Sequence, residues 1–236
     1  MIKDVLTIVI PCKNEEDYII ETLTSIHKQI GIEGTKVIIA DAFSTDHTRA
    51  RIELFANYTK SINIEIVDGG FVSYGRNLGA TLAQTKLVLF MDADAILFEN
   101  DIISKSVNYM LTTKYDILTC KIKSNSKSIM SKIFFRSFYS IQKLLPETFS
   151  TGVYMMVRKS DFARLGGFDE TLHQSEDYFY SRNYKKSKFK ILNRFVGQDD
   201  RRFKKMGYIG MLKLLIGNYI NRNNKSHFQK DTNYWN

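Results

Sequence analysis

Several things are scarce in this chain of 236 residues, and each scarcity narrows what it can be. There are two cysteines, Cys12 and Cys120, and their spacing is not that of a metal site. That argues against a disulfide framework or a zinc module and suits a reducing compartment, with both thiols as core or near-site residues. No apolar run reaches the ~18 residues a membrane span needs. The apolar segment nearest the N-terminus, Val5 to Ile10, meets Pro11 and charged residues too soon for a signal peptide. There is no internal repeat, no low-complexity linker and no visible RNA-binding motif. From Ile117 to Pro146 there is no acid at all, against six lysines and arginines.

What is present points to an ordered, cationic protein. Hydrophobic residues make up 44% and aromatics 13%, enough for a substantial core in one large domain or two fused halves. The net charge of +9 suits nucleic acid, anionic lipid or phosphorylated small molecules. Its distribution is uneven. Ten basic residues lie between Arg182 and Lys205, opposed only by Asp199 and Asp200. Acids concentrate in the N-terminal half and around Asp169 to Asp177.

The stretch Leu87-Val88-Leu89-Phe90-Met91-Asp92-Ala93-Asp94 is the most informative. Its apolar run reads as a buried strand. Asp92 and Asp94 then stand at the C-terminal end, where open α/β sheets bind ligands. Side chains at i and i+2 of extended chain share a direction. The two carboxylates can therefore share one divalent cation, or divide a metal and a sugar hydroxyl between them.

Other strands precede it. Val5 to Ile10 reads as a first strand ended by Pro11, and Asp17 to Gln29 as a helix with Ile19, Ile20, Leu23 and Ile26 at helical spacing. Lys36 to Ala40 and Asn63 to Val67 are further strands, and Tyr74 to Gln84 a short helix. Ser44 or Thr45 is placed to cap the helix after the second strand. Asp46 reads equally well as a cap or a ligand contact. Strands alternating with helices imply a parallel sheet with right-handed crossovers. Asn14 and Glu15, Asp41 and Asp46, and Asp92 and Asp94 would then lie along one edge of it.

Four segments in this order, Ile10-Pro11-Cys12-Lys13-Asn14-Glu15, Asp41-Ala42-Phe43-Ser44-Thr45-Asp46-His47-Thr48, Gly75-Arg76-Asn77-Leu78-Gly79-Ala80 and Met91-Asp92-Ala93-Asp94, resemble the motifs of family 2 glycosyltransferases. The resemblance continues through Thr151-Gly152 and Gly166-Gly167-Phe168-Asp169-Glu170 to Ser175-Glu176-Asp177. It covers roughly residues 5 to 205. It implies an α/β GT-A fold, a Rossmann-like and mostly parallel sheet flanked by helices, with an acceptor-binding C-terminal half. It also implies inverting transfer from a nucleotide sugar, usually a UDP-sugar, aided by Mn²⁺ or Mg²⁺. By match to its motifs, Pro11, Asn14, Glu15 and Asp41 line the donor pocket, with Asp41 at the base. Arg76 meets the base or diphosphate, Asp92 the ribose, Asp94 the metal, and Asp177 is the catalytic base.

The acceptor half fits on physical grounds. Val153 to Val157 is a strand, and Glu176-Asp177 opens an aromatic-rich helix, where the helix dipole favours an ionised carboxylate. The same pair also reads as a plain N-cap. Glu176 and His173 are acceptor-side candidates, His173 also reading as an ordinary loop residue. Gln198-Asp199-Asp200-Arg201-Arg202 resembles the Gln-x-x-Arg-Trp motif of processive enzymes in the family, with Arg202 where tryptophan would stand. Arg201 or Arg202 would clamp the diphosphate or lie on a solvated basic face.

Two segments suggest a membrane surface. Met130, Phe134, Phe138, Ile141 and Leu145 form one helical stripe opposite Lys132, Arg136 and Lys143, with Phe135 and Tyr139 falling toward the basic side. Tyr208 to Ile220 is a second apolar helix, and the polar tail from Asn221 onward is expected to fray. The organisation expected is one domain over 1–221, with a nucleotide half to about residue 95, an acceptor half to about 205, a basic amphipathic helix over about 206–221, and a tail over 222–236. The partners expected are a nucleotide sugar and a glycan or lipid-linked acceptor, on the cytoplasmic side, at the membrane face or free of it, with no nucleic acid. Two rival readings remain. A sugar-phosphate nucleotidyltransferase would need a Gly-rich loop after the first strand, and Pro11 to Glu15 has no glycine. A non-enzymatic basic protein binding membrane or nucleic acid would not need ordered carboxylates.

Overall fold

The structure, a computed structural model, describes residues 1–230, the side chain of Phe138 apart. In chain order its elements are β1 (Leu6–Cys12), α1 (Ile19–His27), β2 (Thr35–Asp41), α2 (Thr48–Tyr58), β3 (Ile62–Asp68), α3 (Val72–Leu82), β4 (Leu87–Met91), β5 (Ile96–Leu97), α4 (Ile102–Thr112), β6 (Ile117–Ser124), α5 (Ile129–Leu144), β7 (Tyr154–Arg158), α6 (Lys159–Arg164), α7 (Glu176–Ser181), β8 (Phe189–Gln198), α8 (Arg201–Ile220) and α9 (Lys225–Phe228). The strands form one sheet in the order β3-β2-β1-β4-β7-β6-β8-β5.

The first four strands run parallel, as alternation with helices predicts. Leu6 to Ile10 of β1 and all of β4 are buried, as strands covered on both faces must be. β7 then pairs antiparallel with both β4 and β6, β8 runs parallel to β6, and the short β5 closes the edge antiparallel to β8. The sheet is thus mostly parallel, with the antiparallel pairings confined to the second half. Because β1, β2 and β4 share a direction, the ends of all three open onto one rim.

Several boundaries differ from those read in the sequence. Pro11 lies inside β1, which continues to Cys12 opposite Asp41. The ladder to β4 stops at Val9, so β1 has a bare side there, where a residue without an N–H is tolerated. Ser44 and Thr45 do not cap α2; the Asp46 carboxylate takes the Thr48 N–H at 2.9 Å and the Glu16 N–H at 3.2 Å. α8 starts at Arg201 and bends at Gly207, whose φ of 73° suits glycine. On α5 the expected stripe is turned: Phe135 is buried, whereas Met130 and Ile141 are exposed. The tail is ordered through α9, with Phe228 buried against Phe179 and the Phe228 carbonyl accepting from the His173 N–H at 2.9 Å. Residues 231–236 of that tail lie outside the described residues. Among those described, no helix is long and apolar enough to cross a membrane.

Candidate active site

The loops after β1 and β2 are sewn together. Asn14, in the left-handed region at φ 53°, donates its N–H to Ser44 Oγ at 2.9 Å and accepts the Thr45 N–H on Oδ1 at 2.9 Å. Glu15 donates its N–H to Thr48 Oγ1 at 2.7 Å. Asp41 is buried at the end of β2, and its Oδ1 accepts from Ser44 Oγ at 2.5 Å and from Cys12 Sγ at 3.7 Å. Burial and the Asp41 charge push the Cys12 thiol upward, so it stays protonated. Pro11 packs against α3 beside Gly75.

β4 delivers Asp92 and Asp94 to the same rim. The loop between them is held from behind by Thr22 of α1, whose hydroxyl donates to the Ala93 carbonyl at 2.7 Å. Asp94 is almost wholly buried, and desolvation and the neighbouring Asp92 charge push its carboxyl up to about 7, against the pull of Arg201. Arg201 Nη2 stands 3.5 Å from Asp94 Oδ2 and is bound in a two-pronged pair to Glu15, at 2.6 Å for Nη1 and 2.5 Å for Nη2. Its guanidinium lies over the Tyr18 ring, 4.7 Å from the centroid. The first residue of α8 therefore reaches back to the loop after β1. Arg202, with Arg201, favours the ionised forms of Asp94 and Glu15.

Arg76 of α3 is one of the largest fully buried side chains among the described residues. Its Nη2 donates to Asp92 Oδ1 at 2.7 Å and its Nη1 to Glu176 Oε1, and Phe168 lies under the guanidinium at 5.4 Å. One cation thus ties the end of β4 to the start of α7. The neighbouring Asn77 pins the turn at Phe168. Its amide donates to the Phe168 carbonyl at 2.9 Å and accepts the Phe168 N–H at 2.8 Å.

Gly152 makes room for this arrangement, because a Cβ there would stand 1.9 Å from Arg76 Nη2. Gly152→Ala is expected to displace the guanidinium and unpair both acids, lowering stability by roughly 3–5 kcal/mol, as when a buried pair is broken. Chemical denaturation measures it. A loss below about 1 kcal/mol would mean that the guanidinium can move without harm.

Asp177 faces the same space. Its Oδ2 accepts the Gly152 N–H at 2.9 Å and its Oδ1 the Tyr178 N–H at 2.7 Å. Burial first, then the Glu176 charge, raise its carboxyl to about 7, opposed by Arg76 and these N–H donors. Ser175 just before it is left-handed at φ 60°, a conformation that turns the chain into α7. His173 is not with this group; its ring packs on Phe71 at 5.3 Å and its backbone on the tail. Sequence reasoning did not find the Arg76–Glu176 pair, the Gly152 N–H on Asp177, or Tyr18 beneath Arg201.

Residues 7–166 match the family model described as Glycosyl transferase family 2. The chain belongs to this family. It is 28% identical over 201 residues to a 4,4'-diaponeurosporenoate glycosyltransferase of Staphylococcus aureus, covering 81% of this chain and 49% of the relative. Across the curated relatives it matches, the chain spans from about a quarter to about half of their length. Two solved structures share the GT-A fold. A mannosyltransferase from Pyrobaculum calidifontis in complex with GDP-Man and Mn²⁺ superposes with a TM-score of 0.67 at 19% identity, covering 82% of this chain and 56% of that one. S. aureus TarS 1–349 in complex with UDP-GlcNAc gives 0.64 at 20% identity, covering 84% of this chain and 59% of that one.

In this family member the donor set for a hard divalent cation would be a small one. Among the described residues no three His, Cys, Asp or Glu side chains gather on one point. A cation here would have Asp92 and Asp94 as its protein ligands, the rest being phosphate oxygens and water, as is common for Mg²⁺-type sites. The buried Asp94 carboxyl, raised by desolvation, is a group a cation would bring back to its ionised form.

Proposed function

We propose that this family 2 glycosyltransferase moves a sugar from a nucleotide-sugar donor, UDP-linked by preference, to an acceptor hydroxyl or phosphate with inversion in one displacement. The observation that carries this reading is the opposition of Asp94 and Asp92, on the rim of the parallel strands, to Asp177 on α7, with Arg76 tying the two sides. The base would lie toward Asp41, and Arg201 and Arg202 toward the diphosphate. A divalent cation at Asp94 and Asp92 would supply charge neutralisation for the departing diphosphate. Asp177 takes the proton of the attacking acceptor, and Glu176 and Arg76 fix its place. The acceptor is lipid-linked in this reading, and the chain works against the cytoplasmic face of the membrane.

The test is nucleoside diphosphate release from a panel of UDP-, GDP- and dTDP-sugars with Mn²⁺, with EDTA, and with Asp94→Ala. One donor is expected to be hydrolysed slowly, with loss of roughly 10²-fold or more on chelation or substitution. Activity indifferent to EDTA would remove Asp94 from its assigned role. Absence of Mn²⁺-dependent nucleotide binding would remove the donor reading itself.

A further inference from the structure

A cavity of about 510 Å³ runs from the carboxylates into the space between α5 and α8. That is ligand-sized. One end is bordered by Arg76, Asp92, Glu176 and Asp177. The rest is walled by Phe134, Phe135 and Ile141 of α5 and by Met211, Leu215 and Ile216 of α8. Gln198, Asp199, Arg202 and Asn218 also border it, but most of the surface the walls present is apolar, which suits a hydrocarbon better than a sugar chain that needs hydrogen-bonding partners along its length. We propose that this cavity holds the hydrocarbon chain of an amphipathic acceptor whose polar head lies at Asp177. The inference rests on the glycosyltransferase reading above and names the chemistry of its acceptor.

The slot is built into the fold. At one end Tyr208 of α8 shares hydrogen bonds with Ser128 at 2.7 Å and Ser131 at 2.9 Å, and Ser131 donates to the buried Asp200 at 2.7 Å. At the other, Arg222 stands 3.5 Å from Glu147. Between these fastenings the helices leave the gap. Ile141, Leu212 and Ile216 line it and are also about half exposed, so the gap reaches the surface between the helices. The outer faces around the opening are apolar as well, with Ile209 73% and Leu144 83% exposed, and Lys132 and Lys213 stand on the same two helices. Exposed apolar surface beside cations is where an anionic amphiphile arrives. At the inner end Oε2 of Glu176 and the hydroxyls of Thr151 and Tyr178 have no hydrogen-bond partner among the described residues, which suits a polar head there.

The probes are n-alkyl phosphates of increasing length, used below their micelle concentrations and measured by calorimetry. Affinity is expected to rise about fourfold per methylene, then to level once the slot is full. Leu215→Trp fills the slot from the partly buried side and Leu212→Trp from its half-exposed mouth. Each is expected to weaken dodecyl phosphate at least tenfold with Mn²⁺-UDP binding unchanged. Affinity independent of chain length overturns the proposal, as does equal binding by both folded variants. So does sedimentation showing a dimer that excludes dodecyl phosphate, because a second copy would then cover this face. A chain-length series that behaves as expected in a protein that fails to bind UDP would instead sink the donor reading and leave the slot standing.

Discussion

Asp177→Asn is expected to lower sugar transfer by about 10²–10⁴-fold, the usual contribution of a placed general base. The amide keeps the size of the side chain and can accept the Gly152 N–H, so nucleotide binding should change little. The pH profile separates a base from a structural cap. Asp177 accepts the Gly152 N–H ahead of β7 and the Tyr178 N–H, and feels the charges of Glu176 beside it on α7 and of Arg76 from α3. Their sum, with burial, puts the carboxyl at about 7, so transfer by the wild-type chain should rise with pH and level above that value. The stability effect has the opposite sign. A carboxyl raised from its ordinary 3.8 to about 7 holds its proton longer in the folded chain. The folded state then binds more protons than the unfolded state between these values, and stability falls as pH rises through the window. Thermal melts of the wild type minus those of Asp177→Asn should show that fall. An activity profile unchanged in shape by the substitution would assign the proton transfer elsewhere.

Arg76→Ala should lower stability by about 3–5 kcal/mol, because it strands two acids in a site built for one cation. For a chain of this size that is roughly 6–20 °C in Tm. Arg76→Lys is not expected to rescue it. Asp92 and Glu176 are met by different nitrogens of one planar group, which an ammonium does not reproduce. A melt of Arg76→Ala within about 2 °C of the wild type would show that Asp92 and Glu176 find other partners or take up protons at little cost.

The parallel half was readable because its signals are local. Leu87 to Met91 is apolar throughout, and β4 is buried throughout; its two acids follow at once and sit on the rim. The stripe of Ile19, Leu23 and Ile26 became the buried face of α1. β6 and β8 were not read, because their lysines and arginines hide the alternation. Lys121 and Lys123 point away from the buried Cys120, Ile122 and Ser124, and a bulge after Cys120 shifts the register against β8. The start of α8 was masked by Gly207, which breaks the helical pattern. The role of Arg76 could not be read locally, since Glu176 lies 100 residues further along. The burial of Phe228 was equally invisible in a polar tail.

The position of β7 has a consequence for how the chain is made. β4 is finished early, yet the strand that covers its outer side begins only at Tyr154, after α4, β6 and α5. On the ribosome, Leu-Val-Leu-Phe-Met would wait with one row of backbone groups bare until that later segment emerges. Such an edge is a template for pairing between nascent chains. Fragments that stop within α5 would keep it permanently open and should collect as insoluble material. The safe places to divide this protein are therefore set by translation order, and none of them lies between Met91 and Tyr154.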